Sequence, residues 1–403
     1  MGPRLWMLLA AFLISGAGNW IYRLALPLLV LDLTGSAVGT GALYALENLP
    51  LLLFSMLGGA IADRFPRRLV LVTGDVAAAV IASGIALFVA AGARPVWLLY
   101  ALAFVLASVE PLYYPAFRSL IPSLATPDLL PTVNARVHVA EYGVNAVGPL
   151  LAGVLVETVG YEITLAVNAA SFALSALLIL LIRGVPAPES AAGRTILGDV
   201  REALRYCLRD NPIIRASTLI PMVNNFFVWL LLANVVFYLT TYHSYTPDQI
   251  GVVFAMQGVG AVAGALAGAR LLRRVPPGLL VAWSTAVGGL AMLALIPARH
   301  PLAVGAAWMV QFAAAGASIV STATLRQWLV PDRLLGRVFA TARMIAWSPI
   351  PLASLLAGVV ESTWHNSHAT FAISGVAWLA TGVAAARSPL RDARPPEPAT
   401  PPP

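Results

Sequence analysis

Gly58-Gly59-Ala60-Ile61-Ala62-Asp63-Arg64-Phe65-Pro66-Arg67-Arg68 ends one long apolar run and begins another. The runs on either side, approximately 37–62 and 68–91, each reach the length of about 20 residues that a membrane-spanning helix needs. The turn between them holds an acid, three arginines and a proline, a composition for a water-exposed edge and not for hydrocarbon. Neither run alternates apolar with polar residues, so the segments read as helices and not as strands of an outer-membrane barrel. A helix satisfies its backbone hydrogen bonds internally, which is what a lipid environment demands.

Working outward, the same pattern repeats along the chain. Of 403 residues, 59% are hydrophobic and 11% charged, against about 25% charged in a soluble domain. The apolar runs number twelve, at approximately 5–32, 37–62, 68–91, 96–117, 133–157, 161–182, 213–240, 248–272, 278–297, 301–325, 335–361 and 366–386. All 25 basic residues are arginine. With the N-terminus placed in the cytoplasm, the arginine-rich loops fall on one side. They hold Arg64, Arg67 and Arg68, then Arg183, Arg194, Arg201, Arg205, Arg209 and Arg215, then Arg270, Arg273 and Arg274, then Arg326, Arg333 and Arg337, and finally Arg387, Arg391 and Arg394. The opposite loops hold little more than Arg94 and Arg299, with Asp32, Glu157, Glu162, Asp248 and Glu361. That asymmetry is the positive-inside pattern, and it places both termini in the cytoplasm of a bacterial cytoplasmic membrane. The net charge of +7 is accounted for in this way and calls for no nucleic-acid partner. The single cysteine, Cys207, allows neither an internal disulfide nor a thiolate metal cage. Residues 1–35 read as one helix that is retained, not as a cleaved signal.

The series breaks in the middle. Residues 183–212 are arginine-rich and carry Pro186 and Pro188, followed by a stretch in which Ile196, Val200, Leu204 and Leu208 recur every fourth residue. That spacing predicts an amphipathic surface helix, either a linker at the cytoplasmic interface or a regulatory element. The proline-rich tail, 387–403, is expected to be disordered. The two sides of the linker look like repeats. Pro127-Asp128 leads into a helix with Leu151-Ala152-Gly153-Val154, and Pro331-Asp332 into one with Leu356-Ala357-Gly358-Val359. The expected organisation is a six-helix half at 1–182, a linker at 183–212 and a second six-helix half at 213–386. Parallel repeats of this kind build transporters that rock about a site near the membrane midplane.

The stretch that opens this section resembles the signature between the second and third helices of the major facilitator superfamily. That signature is a glycine, three residues, Asp-Arg, one residue, a glycine and two basic residues. Gly59, Asp63, Arg64, Arg67 and Arg68 match it, and Pro66 stands in place of the last glycine. Helix count, linker and half repeat extend the resemblance over the whole chain. It implies an all-α membrane protein with twelve transmembrane helices in two pseudo-symmetric halves. Gly18-Asn19-Trp20-Ile21-Tyr22-Arg23, Ala25-Leu26-Pro27, Leu33-Thr34-Gly35-Ser36 and Tyr114-Pro115-Ala116 resemble the branch with macrolide-efflux proteins and the enterobactin exporter. Gly143, Gly148, Pro149 and Gly153 in the fifth helix are similar to the antiporter motif of exporting members, with Val147 and Ala152 where two further glycines are usual. The resemblance thus implies export.

Charge chemistry supplies the candidate sites. Asp63 among arginines can act as a conformational latch, accepting from Arg67 or Arg118 or facing a helix N-terminus. Simple orientation of the loop is the other reading. At membrane depth a charge is costly unless paired or hydrated. Arg23 and Glu47 sit at nearly the same depth, roughly 14 Å from the outer face, which predicts an ion pair, either static or proton-responsive. Glu110, next to Pro111, and Glu141, with Arg118, Arg136 and His138 close in sequence, form a second group near the inner face. Carboxyls in such settings can take up and release protons near neutral pH, and Glu110 is the expected carrier. Asn19, Tyr22, Tyr113, Asn225, Gln257 and Gln311 supply polar points in apolar walls, and Arg343 a cation for an anionic group, as an amphipathic ligand needs.

The reading is therefore a secondary active transporter, a proton-coupled exporter of a lipophilic or amphipathic small molecule such as an antibiotic or siderophore. Its expected partners are that substrate, protons and the lipid bilayer, and it is expected to work as a monomer. An importer or lipid flippase on the same fold, and a non-transporting sensor or assembly protein, are the alternatives. No phosphate-binding Gly-Lys-Ser/Thr loop is present, so the energy must come from an ion gradient. No nucleophile and base appear at membrane depth, so no enzyme is expected, nor a cofactor. His300, His365 and His368 read as surface residues and not as a metal site.

Overall fold

A computed structural model describes residues 2–92, 95–124, 130–183, 196–391 and 393. Its side-chain description excludes positions 56, 59–60, 63, 122, 130–132, 134–135, 138–139, 142, 196–200 and 332–333. Among the described residues the regular elements are all helices. Before the linker they are α1 Pro3–Thr34, α2 Ala37–Arg64, α3 Arg67–Ala90, α4 Val96–Ala107, α5 Val109–Leu124 and α6 Leu130–Leu180. A short α7, Ile196–Arg205, runs into a π-helical turn at Tyr206–Asp210. After it come α8 Pro212–Thr241, α9 Pro247–Leu271, α10 Pro277–Ala294, α11 Pro301–Leu329, α12 Asp332–Trp347, α13 Ile350–Trp364 and α14 Ser367–Arg387.

Eleven segments among the described residues are long and apolar enough to cross a membrane. One of them, Gly143–Leu180, contains a break at Gly160, where φ is 79° and ψ 176°, so it is two spans and the total is twelve. Gly160 takes a conformation that a residue with a Cβ rarely adopts, and it turns the fifth span into the sixth without a loop. Local chemistry sets other ends. Ser36 Oγ accepts from Gly39 N–H at the start of α2, and Asn211 Oδ1 accepts from the amides of Ile213 and Ile214 at the start of α8. Side-chain oxygens thus satisfy donors that lack a helical partner.

Two spans are interrupted. The fourth breaks at Ser108 between α4 and α5, near Pro111, whose missing N–H leaves the Ala107 carbonyl without its helical donor. The eleventh breaks between α12 and α13 at Ser348-Pro349. There Asn225 Nδ2 donates to the freed Ala346 carbonyl at 2.8 Å.

The chain forms two compact units. The first comprises Met1–Ala192, Leu232–Gly258 and Ser354–His365. In it α6 packs against both α1 and α3, and α2 against α5. Leu5, Leu8, Phe117, Leu120, Val137 and Ile179 make a core at its arginine-rich end. At the other end, backbone approaches backbone. A Cβ at Gly153 would stand 2.4 Å from the Pro247 carbonyl oxygen, and one at Gly258 the same distance from that of Asn145. The second unit comprises Gly193–Leu231, Val259–Ala353 and Asn366–Pro403, with α10 packed between α11 and α14.

Two features add to the expected layout. In the turn after α7, Leu208 packs against the buried cluster of Cys207, Val330 and Val338. Leu204 is 37% exposed, while Ala203 and Cys207 are fully buried and Arg337 Nη1 donates to Glu202 Oε2 at 3.1 Å. Helix α7 thus docks on α12. The start of the tail is packed, with Leu390 and Ala393 buried beside Ile220 and Val281. Residues 394–403, and the linker prolines Pro186 and Pro188, lie outside the described residues.

Candidate functional site

A cavity of about 90 Å³ lies within the first unit. Helix α1 brings Ser15, Asn19, Tyr22 and Arg23 to it, residues at helical spacing on one face. Helix α2 contributes Glu47, α3 Asp75, and the break between α4 and α5 contributes Ala107, Val109, Glu110 and Tyr113. Drug-sized ligands occupy pockets of about 300–1,000 Å³. This space holds a few waters, so its scale is that of an ion or proton site.

Three carboxylates and one guanidinium line the cavity. Arg23 Nη2 donates to Glu110 Oε2 at 2.8 Å, and both side chains are half-exposed. The ion pair expected between Arg23 and Glu47 does not form. Equal depth on two helices does not fix which way each side chain faces, and Arg23 turns toward α5. Glu47 sits beside the Tyr22 hydroxyl, and Glu47 Oε1 and Tyr22 Oη are each buried without a hydrogen-bond partner. Asp75 is 2% exposed. Its Oδ2 accepts from Ser175 Oγ at 2.6 Å and from Tyr113 Oη at 3.5 Å. No described arginine or histidine pairs with it.

Asp75 was not among the residues singled out from sequence, although an acid inside the apolar run 68–91 was the available signal. Glu361, expected in an exposed loop, is also a buried acid. It lies in α13 and accepts from Asn234 Nδ2 at 2.8 Å and Tyr242 Oη at 2.7 Å.

The second expected acid group is tied down. Arg118 Nη2 donates to Glu141 Oε1 at 3.0 Å and Arg118 Nε to Tyr114 Oη at 2.8 Å. Of the expected latch, Gly59 and the Asp63 side chain lie outside the description. Arg64 is exposed. Arg67 Nη1 donates to the Ser119 carbonyl at 2.9 Å. Arg68 Nε donates to the Ile179 carbonyl at 3.2 Å, and its Nη2 to that of Leu180. Arg68 therefore caps the end of α6, where orphan carbonyls and the helix dipole favour a cation. Arg118, an expected partner of Asp63, bonds Glu141.

The expected substrate-cavity residues divide. Asn19, Tyr22 and Tyr113 line the cavity. Gln257 is half-buried in α9. Asn225, Gln311 and Arg343 belong to the second unit. There Gln311 is fully buried with both amide atoms unpartnered, and the Arg343 guanidinium lies 5.1 Å from the Trp347 ring centre. In the antiporter-like motif, Gly148 meets Trp20, the Pro149 carbonyl meets Gly251, and Gly153 meets Pro247, while nothing stands within 4 Å of a Cβ at Gly143.

Comparison with known proteins follows the same lines. Residues 4–399 match the family described as transmembrane secretion effector. The multidrug efflux pump Tap of Mycolicibacterium fortuitum is 29% identical over 399 residues, 95% of each chain. The enterobactin exporter EntS of Citrobacter koseri is 25% identical over 343 residues, 83% of this chain and 80% of that one. Among solved structures, the nucleoside transporter NupG superposes with a TM-score of 0.79 at 13% identity, covering 95% of this chain and 99% of that one. A bacterial homologue of the iron transporter ferroportin, in an inward-facing state, gives 0.69 at 17%, covering 95% of this chain and all of the other.

Proposed function

Because the chain belongs to the transmembrane secretion effector family, we propose that it is a proton-coupled exporter of a lipophilic or amphipathic small molecule. It is a multi-pass membrane transporter of the major facilitator kind and not an enzyme. Export is supported by relatives that bear the names of an efflux pump and an exporter. The observation that carries proton coupling is the small cavity with three carboxylates and one guanidinium. It is too small for a drug and polar enough for water, and its acids can change charge at membrane depth.

In this reading the arginine-rich end faces the cytoplasm, and the protein works as a monomer with two halves, 1–182 and 213–386. A reporter fused after Pro188 must then read as cytoplasmic. The cargo is an antibiotic- or siderophore-like compound. An accumulation screen over antibiotic and siderophore panels, with and without the protein, identifies the cargo. With a responding compound and reconstituted vesicles, an imposed pH step should drive its movement. Transport that ignores the pH step would remove the coupling, and accumulation raised by the protein would reverse the direction.

A further inference from the structure

We infer that Asp75 is the residue that takes up and releases the proton of the transport cycle, with Ser175 and Tyr113 as its hydroxyl partners. This rests on the proton-coupled reading above. The acids differ in what they touch. Glu110 shares the Arg23 guanidinium at 2.8 Å, and Glu141 that of Arg118 at 3.0 Å. Each of these two carboxylates already has a bonded guanidinium to compensate its charge. Glu47 is buried, but Arg23 also acts on it. Asp75 alone among these accepts hydrogen bonds from two hydroxyls and none from a cation. It sits where three helices meet, on α3 with Tyr113 of α5 and Ser175 of α6.

The hydroxyls suit both states of the acid. A serine hydroxyl carries one donor and two acceptor sites and rotates freely between them. With Asp75 ionised, Ser175 Oγ donates to Oδ2, as observed. When a cavity water delivers a proton to Oδ2, the new O–H donates to Ser175 Oγ. The serine proton then turns to the carbonyl one helical turn back on α6, that of Ser171. One proton is gained, one charge is lost, and every donor keeps an acceptor. The ionisable groups around the cavity are Tyr22 and Arg23 from α1, Glu47 from α2 and Glu110 and Tyr113 from α5, while the lining residues of α4 and α6 add none. The charge change is therefore felt where α3, α5 and α6 meet.

Infrared difference spectroscopy on the full-length protein across a pH titration reads the carboxylic C=O stretch directly. The expected result is a titrating band that shifts when aspartate is carbon-13 labelled and disappears in Asp75→Asn. Ser175→Ala, which keeps the acid and removes its donor, should move the midpoint of that same band. This second variant and the labelled wild type decide the matter even if Asp75→Asn does not fold. A band insensitive to the aspartate label, or one retained in folded Asp75→Asn, overturns the assignment. If the band instead follows Glu47→Gln, proton coupling stands and the carrier is Glu47. Failure of wild-type vesicles to respond to a pH step is a separate result and removes the reading beneath.

Discussion

Arg23 of α1 bonds Glu110 of α5 at 2.8 Å and leaves Glu47 of α2 buried beside Tyr22 without a hydrogen bond to its Oε1. One guanidinium thus splits the acids of the cavity into a compensated carboxylate and two that lack a bonded cation. The pair is half-exposed, with side chains at 48% and 52%, so its coupling is that of a solvated pair, about 1 kcal/mol or less. A double-mutant cycle with Arg23→Gln and Glu110→Gln, read by denaturant unfolding in detergent, should return that value. The same cycle with Glu47→Gln should return a smaller value, since no direct bond joins the two. A larger coupling to Glu47 would show that the guanidinium faces α2.

The glycines of the antiporter-like motif should separate by position. At Gly143 an added methyl meets open space, so Gly143→Ala should be neutral or raise stability by up to about 1 kcal/mol, as alanine does in an open helix. At Gly153 the methyl would lie 2.4 Å from the backbone oxygen of Pro247, which has no flexible side chain to yield. Gly153→Ala should cost about 1–3 kcal/mol through overpacking. Melting both variants in one detergent tests the contrast, and equal effects would count against the close approach of the fifth and eighth spans.

Much of the fold was legible because a bilayer leaves few choices. The expected segment 37–62 is α2, Ala37–Arg64, and the expected start at 161 follows the Gly160 break by one residue. The site was legible in part. Counting residues along a helix gives depth, and depth placed Arg23, Glu47 and Glu110 in the membrane. It does not give the rotation of one helix against another, so the partner of Arg23 was assigned to the wrong helix. Asp75 went unread because its partners, Ser175 and Tyr113, are neutral and distant in sequence. The spacing over 196–208 predicted an amphipathic helix, and only the structure shows that it docks on α12.

Cys207 is fully buried in the π-helical turn beside the Val338 carbonyl. Burial pushes its thiol up, with Arg326 and Thr218 pulling the other way. In the unfolded chain the thiol ionises near about 8.5, before the folded one does. The buried thiol therefore stabilises the fold fully below that value, and this contribution is lost as pH rises through the folded value. Maleimide should label the native protein slowly and the denatured protein at once. The alkaline loss of stability should be shallower in Cys207→Ala than in wild type. Rapid native labelling would show that the junction between α7 and α8 opens.

The turn at 63–68 carries two separable roles, and mutation should divide them. Arg68 holds the Ile179 and Leu180 carbonyls at the end of α6. Its loss in Arg68→Ala leaves the part-buried Ile179 bond unmade, at a cost of about 1 kcal/mol. Arg68→Lys should recover part of that, because an ammonium is a point charge and cannot span both oxygens as a planar fork does. The Asp63 side chain lies outside the described residues, and its proposed role is to bias the transport cycle. Asp63→Asn should therefore melt close to wild type while slowing pH-driven movement of the cargo in vesicles at least several-fold. If it melts as low as Arg68→Ala, the acid belongs to the structural cap. If it melts and transports like wild type, the turn orients the chain in the membrane and does nothing more.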